Sequence, residues 1–195
     1  LYAVGKDNSV LARYDLSALQ DDPEAGHPPG EVVMGAEVAV EGLGVQRYQG
    51  QSGLAYRDGW LYIAYRTSSV ILRVEVVQPI RAQLVARFEP YDPATGRSAD
   101  LTDLSFDDRG RLYVISAQPA RVYRFTPDPE AVFDARPDAA SPALPWVDLA
   151  AATGRPRMKS ENLLVHAGYL YVTLGDGYDY QAGADGTVYR VAIGD

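Results

Sequence analysis

One pattern of residues occurs three times along the chain, and that repetition limits the fold more than any other feature. It runs Gly53-Leu54-Ala55-Tyr56-Arg57-Asp58-Gly59-Trp60-Leu61-Tyr62-Ile63. It returns as Asp103-Leu104-Ser105-Phe106-Asp107-Asp108-Arg109-Gly110-Arg111-Leu112-Tyr113-Val114, and again as Asn162-Leu163-Leu164-Val165-His166-Ala167-Gly168-Tyr169-Leu170-Tyr171-Val172. Each copy is an alternating apolar strand, a turn bearing glycine, and a second strand opening on Leu-Tyr. The chain itself begins on a fourth such pair, Leu1-Tyr2.

A third strand with a shared arginine follows each Leu-Tyr strand: Val10 to Tyr14 with Arg13, Val70 to Val74 with Arg73, Val122 to Phe125 with Arg124, and Val188 to Val191 with Arg190. These arginines read as repeat architecture, pointing to the flank of the unit or to solvent. Fourth strands are expected at Val32 to Val40, Gln83 to Phe88 and Pro145 to Leu149. The tyrosines at 2, 62, 113 and 171 lie 60, 51 and 58 residues apart (62 less 2, 113 less 62, 171 less 113), which leaves room for long connections. The second strand is apolar on both faces, as a sheet sandwiched between neighbours requires. The expectation is an all-β chain, a β-propeller of four-stranded antiparallel blades, with units at about 1–40, 51–89, 101–149 and 160–195 in a single domain. The first unit lacks its first strand and the last lacks its fourth. The chain is therefore expected to be a partial propeller of about three and a half blades from a six- to eight-bladed protein. Residues before Leu1 are expected to have been removed, since the chain opens in strand-like sequence without an initiator Met or signal peptide. Bare blade faces at the two ends would favour self-association.

Composition narrows the function classes. With 47% hydrophobic and 23% charged residues the chain is of ordinary globular make-up. A formal net charge of -8 and the lack of any Lys/Arg run argue against a nucleic-acid partner. There is no cysteine, which excludes disulfides, thiolate catalysis and cysteine-held metals. No apolar run approaches the ~20 residues of a membrane helix. No Gly-x-Ser-x-Gly elbow and no phosphate-binding glycine loop occur. The acidic, cysteine-free composition leads to an expected periplasmic or extracellular setting. The two Pro- and Asp-rich stretches, Asp21 to Gly30 and Thr126 to Ala143, read as surface loops.

Function is expected where polar residues interrupt the apolar pattern. The starts of the first strands carry Gln51-Ser52, Thr102-Asp103 and Glu161-Asn162. In a blade of this kind they share one end with the connection between second and third strands. In the last unit that connection is long, Gly175 to Gly186, and holds Asp176, Tyr178, Asp179 and Tyr180. Carboxylates and amides projecting from successive blades make an oxygen-rich cage suited to Ca²⁺. The plainer reading is that they line a channel and cap strand ends. His27 lies in a Pro/Gly loop, and His166 lies at the turn on the opposite end. Lys159, Arg155 and Arg157 fall in the last connection before a first strand.

Thr102-Asp103-Leu104 and Glu161-Asn162-Leu163, each followed by a turn and an aromatic-rich strand, resemble the inner strands of the paraoxonase, gluconolactonase and strictosidine-synthase-like propellers. The resemblance implies a six-bladed ring with a central calcium, held here by Asp103, Glu161 and Asn162. In hydrolytic members that metal polarises a lactone or ester carbonyl. Ser52 stands where an acidic ligand is expected, and Thr102 where an amide often is. Gly175-Asp176-Gly177 followed by Gly186-Thr187-Val188-Tyr189 is similar to the loop of soluble sugar dehydrogenases that use pyrroloquinoline quinone.

Three functions follow as expectations. The first is a non-enzymatic binding or scaffold propeller that meets a small molecule, carbohydrate or protein at its loop face, through Ser52, Thr102, Asp176, Tyr178, Asp179 and Tyr180. The second is a calcium-dependent lactonase or esterase with Asp103, Glu161 and Asn162 on the metal. The third is a quinone-dependent sugar dehydrogenase.

Overall fold

The computed structural model describes residues 1–5, 9–14, 30–75, 77, 80–89, 99–117, 120–154, 159–175 and 187–194. They form four separate β-sheets, none of them closed. The first sheet contains β1 (Tyr2–Gly5), β2 (Val10–Arg13) and β3 (Glu31–Met34). The second has the order β5-β4-β9-β8-β7-β6, from β4 (Glu37–Val40), β5 (Gly44–Arg47), β6 (Gln51–Arg57), β7 (Trp60–Tyr65), β8 (Val70–Glu75) and β9 (Arg81–Arg87). The third is β10 (Leu101–Phe106), β11 (Leu112–Ser116), β12 (Arg121–Phe125) and β14 (Val147–Asp148). The fourth is β15 (Lys159–His166), β16 (Tyr169–Gly175) and β17 (Thr187–Ala192).

Side-chain parity explains why the sheets stack. Successive residues of a strand point to opposite faces. On β7, Leu61, Ile63 and Tyr65 enter the core against the first sheet, while Tyr62 and Ala64 enter the core against the third. On β11, Leu112 and Val114 face the second sheet, and Tyr113 and Ile115 face the fourth. Leu170 and Val172 of β16 complete that last core. Every residue of β11 is buried. A strand buried on both faces needs a layer on each side, so β7 and β11 each lie between two neighbouring sheets. Full burial of each large aliphatic side chain stabilises the stack by about 1.5–3 kcal/mol.

The shared arginines stand opposite the shared tyrosines. The pairs are Tyr2 and Arg13, Tyr62 and Arg73, Tyr113 and Arg124, and Tyr171 and Arg190. Three of the guanidinium groups lie over a ring: Arg73 at 4.6 Å from Trp60, Arg124 at 4.9 Å from Trp146, and Arg190 at 4.5 Å from Tyr169. Arg73 also donates from Nε to Gln83 Oε1 at 2.7 Å, so its charge is held by the ring and by the neighbouring strand.

Three expectations need correction. Val32 to Val40 is two strands rather than one. β3 pairs with β2, but β4 turns back on β5 and lies parallel to β9 in the second sheet. Gly42 and Gly44, both at positive φ, close that hairpin. The stretch from Thr126 to Ala143 is not wholly loop. It contains β13 (Phe133–Asp134), which adds to β9 in parallel, and Phe133 stacks on Phe125 at 4.0 Å. The Pro145 to Leu149 strand shortens to β14, because Asp148 caps a one-turn helix, α1 (Leu149–Thr153), through a 2.9 Å bond from the Ala151 amide. Two parallel partners thus join an otherwise antiparallel second sheet. Gln83 to Phe88 agrees with β9 within the usual boundary scatter. Among the described residues the first sheet has three strands, β1-β2-β3, and the fourth has three, β15-β16-β17.

Candidate functional site

The first strands of the second, third and fourth sheets open on one device. In each, the ladder slips by one residue: between Gln51 and Gly53, between Leu101 and Asp103, and between Ser160 and Asn162. A bulge of this kind leaves one residue out of register and re-aims its side chain. The residues displaced are Ser52, Thr102 and Glu161, the positions where the apolar pattern breaks.

Their side chains join the sheets. Ser52 Oγ donates to the carbonyl of Leu101 at 2.7 Å, crossing from the second sheet to the third, and lies 3.4 Å from the Ala64 carbonyl. Thr102 is buried, and its hydroxyl donates to the carbonyl of Ser160 at 3.2 Å, crossing from the third sheet to the fourth. Ser160, also buried, returns a 2.7 Å bond to the carbonyl of Ser116. Gln51 reaches the other way, its amide donating to the Ser9 carbonyl at 3.3 Å and the Tyr65 hydroxyl at 3.2 Å. Burial pushes the Tyr65 hydroxyl up to about 12, with the Gln51 bond opposing, so it stays protonated and able to donate. Gln51 Oε1 is buried without a partner among the described residues.

Asp103 is the most constrained acid of the group. One carboxylate oxygen accepts from the Leu104 amide at 2.8 Å, and the other accepts from the Leu163 amide at 3.0 Å. The second bond reaches into the fourth sheet. Burial holds the Asp103 carboxyl above the usual carboxylate range, and the two amide bonds only partly offset it. Two residues on, Ser105 Oγ accepts from the Val165 amide at 3.3 Å. Arg66 and Asp100 form a partly buried ion pair beside the start of β10, with Nη2 to Oδ2 at 2.7 Å.

The structure therefore brings Ser52, Thr102 and Asp103 to one end of the stack and uses all three as links between sheets. Glu161 and Asn162 are exposed on the same strand start, and Asn162 contacts Thr173 Oγ1 through its backbone amide at 3.1 Å and its side chain at 3.4 Å. Asp176, Tyr178, Asp179 and Tyr180 lie outside the described residues, as do Arg155, Arg157 and His27. Among the described residues no three His, Asp or Glu side chains converge as a metal would require. Ser160 links two sheets although the sequence does not single it out, the hydroxyls recurring at strand starts being its signal, whereas Gln51 stands in the polar pair that opens β6.

The opposite end carries a polar cleft of about 470 Å³, lined by Asp107, Asp108, Arg109, Arg111, His166 and Ile193 among others. Asp107 organises it, accepting from the amides of Arg109 and Arg111 at 3.0 and 2.9 Å, from Arg111 Nε at 2.6 Å and from the Tyr113 hydroxyl at 3.2 Å. Burial raises its carboxyl, but the Arg111 bonds and charge together outweigh that and hold it below the ordinary value. No described helix is long and apolar enough to cross a membrane.

No family model and no curated protein matches the chain. Among solved structures it is similar to the crystal structure of the computationally designed Ika8 protein, with 11% identity over 98% of this chain and 55% of that chain, and a TM-score of 0.41. The chain spans about half the length of that protein.

Proposed function

We propose that this chain is a non-enzymatic binding or scaffold module, built as a run of propeller-type blades that presents its loop face to a ligand. The observation that carries this reading is how the polar residues at the first-strand starts are employed. Ser52 and Thr102 donate across sheet boundaries, and both oxygens of Asp103 hold backbone amides. Groups engaged in this way stiffen a platform. Recognition then falls to the connections that the platform carries, as it does on rigid scaffolds generally. Tyr178 and Tyr180 in the long connection offer flat apolar faces with hydroxyl tips, suited to stacking on a sugar ring or a protein side chain.

A double substitution, Tyr178→Ser with Tyr180→Ser, tests the reading. Binding on a glycan array and in pull-down is expected to fall at least tenfold, with an unchanged thermal midpoint. A panel of lactones and esters is expected to show no turnover above buffer. Turnover that a chelator abolishes, and that Asp103→Ala and Asn162→Ala remove together, overturns this reading in favour of the calcium-dependent hydrolase.

A further inference from the structure

Arg57, Asp107 and His166 are equivalent positions of the repeat. Each follows the last apolar residue of a first strand, Tyr56, Phe106 or Val165, and each leads into the turn to the second strand. Between the second and third sheets, this end of the molecule is filled by Arg57. Its Nη1 donates to the Asp107 carbonyl at 2.9 Å, and its guanidinium lies 5.4 Å from the Phe106 ring. Its Nε donates to the carboxylate of Asp58, the next residue, at 3.2 Å. Gly110 makes room for it, since a Cβ there would come within 3.1 Å of Nη2. A planar cation is thus held between a carboxylate and the carbonyl of the following first strand, against an apolar wall.

Between the third and fourth sheets the same surroundings recur without the cation. Asp108 stands where Asp58 does, the His166 carbonyl where that of Asp107 does, and Val165 where Phe106 does. The counterpart of Arg57 is Asp107, and its carboxylate turns back into its own loop, onto the Arg109 and Arg111 amides, Arg111 Nε and the Tyr113 hydroxyl. The polar cleft of about 470 Å³ lies there. Both of its walls, the turns from β10 to β11 and from β15 to β16, belong to complete hairpins. It is open because the repeat carries an aspartate at the position where the preceding unit carries an arginine. Asp107 and Arg111 neutralise one another, and Arg109 has a partner of its own. Asp108 is exposed and makes neither a hydrogen bond nor an ion pair among the described residues. The Gly168 side of the cleft is clear, since a Cβ there would meet no atom within 4 Å.

We propose that this cleft binds a guanidinium group on a short aliphatic stem, seated between the Asp108 carboxylate and the His166 carbonyl, with its stem on Val165 and Ile193. A fork of N–H donors meets two such acceptors at once, which the compact charge of an ammonium does less well. The volume suits a small ligand, within the ~300–1,000 Å³ of such sites. The guanidinium belongs either to a small molecule or to an arginine of a peptide. The site lies at the opposite end of the sheets from the loop face, so the two are tested separately.

The probes are N-acetyl-arginine amide, its lysine counterpart, and the acetylated tripeptide amide Ala-Arg-Ala. Each is titrated against the full chain while the backbone amides of residues 165–168 are followed by nuclear magnetic resonance. The arginine amide is expected to bind saturably and the lysine counterpart more weakly. Asp108→Asn should weaken the arginine amide at least about tenfold, the loss of one charge-assisted bond. Asp58→Asn, beside the space that Arg57 already fills, should leave its affinity unchanged. Melting curves report whether both variants fold. Tighter binding of the tripeptide than of the amide assigns the cleft to a peptide's arginine, and equal or weaker binding assigns it to a small guanidinium compound. Absence of saturable binding, equal binding of the lysine counterpart, or an affinity that Asp108→Asn leaves unchanged overturns the proposal. A preference for N-acetyl-glutamate amide, whose carboxylate Arg109 and Arg111 would read, overturns it as well.

Discussion

Replacing Gly53 by alanine probes the contact on which the stack of sheets depends. The added Cβ would meet Asp103 Cα at 2.8 Å, and Asp103 C and Leu104 N each at 3.1 Å. Carbon atoms pack best at about 3.5–4.0 Å, so β6 and β10 must part by roughly half an ångström or more. All three neighbours are backbone, so no side chain can swing aside. The separation also loosens the core that Tyr62, Leu104, Leu112 and Val114 share, where such a gap forfeits about a quarter to a half of each contact's attraction. Overpacking costs about 1–3 kcal/mol, and a rigid obstacle puts Gly53→Ala in the upper half of that range, about 2–3 kcal/mol. Gly35→Ala is the control. No atom lies within 4 Å of its Cβ and its φ is not left-handed, so it should stabilise by about 0.4–1 kcal/mol through the unfolded chain. In urea, with a slope of about 2 kcal/mol/M, the midpoint should fall by about 1–1.5 M for Gly53→Ala and rise by about 0.2–0.5 M for Gly35→Ala. An unchanged or higher midpoint for Gly53→Ala would refute the close approach of the two first strands.

Asp103→Ala leaves the Leu163 amide without its acceptor, and should cost about 1–3 kcal/mol by denaturant unfolding, with hydrogen exchange quickened at Leu163; an unchanged exchange rate there removes the link between the third and fourth sheets. Calcium added to the purified chain, compared with a chelator, is expected to leave the thermal midpoint unmoved, whereas saturating binding would raise stability by about 2.7 kcal/mol at a hundred times the dissociation constant. Asp107 carries a depressed carboxyl, so its contribution is complete above the ordinary carboxylate value and disappears as pH falls through the lower folded one; Asp107→Asn should therefore destabilise by about 1–3 kcal/mol at pH 7 and by clearly less at pH 2, as paired urea titrations would show. Asp103 has the opposite sign, since a raised carboxyl weakens the fold as pH rises from the ordinary value through the raised one. Removing one partner of the Arg66–Asp100 pair with Asp100→Ala should cost about 2 kcal/mol in the same assay, and a loss within error of zero would place that pair among weak surface contacts.

The layered plan was legible because it follows from parity. Leu61-Tyr62-Ile63 and Leu112-Tyr113-Val114 are apolar at odd and even positions alike, and only a sheet covered on both faces tolerates that. The β4–β5 hairpin was missed although Gly42 and Gly44 mark its turn, because Glu37-Val38-Ala39-Val40 alternates like any strand, and alternation does not say which sheet a strand joins. β13 escaped for another reason: two residues carry no period, and Phe133 is placed by stacking on Phe125, a tertiary contact. The starts of the first strands were recognised as polar interruptions, but their bulges were not, since a bulge is a property of two strands together.

That distinction bears directly on function. Read along the chain, Thr102-Asp103 and Glu161-Asn162 look like ligands displayed toward a ligand. Placed in the stack, Thr102 and Asp103 face the next sheet's backbone and answer its edge. First strands paired on one side only leave their other edge amides to be satisfied, and β10 satisfies those of β15 with Asp103 and Ser105. On β6 the facing side chains are Gly53 and Ala55, which have no acceptor to offer, and β10 compensates by turning Asp103 onto its own next amide at Leu104. Whether an acid at such a position is a link or a ligand thus depends on the edge beside it.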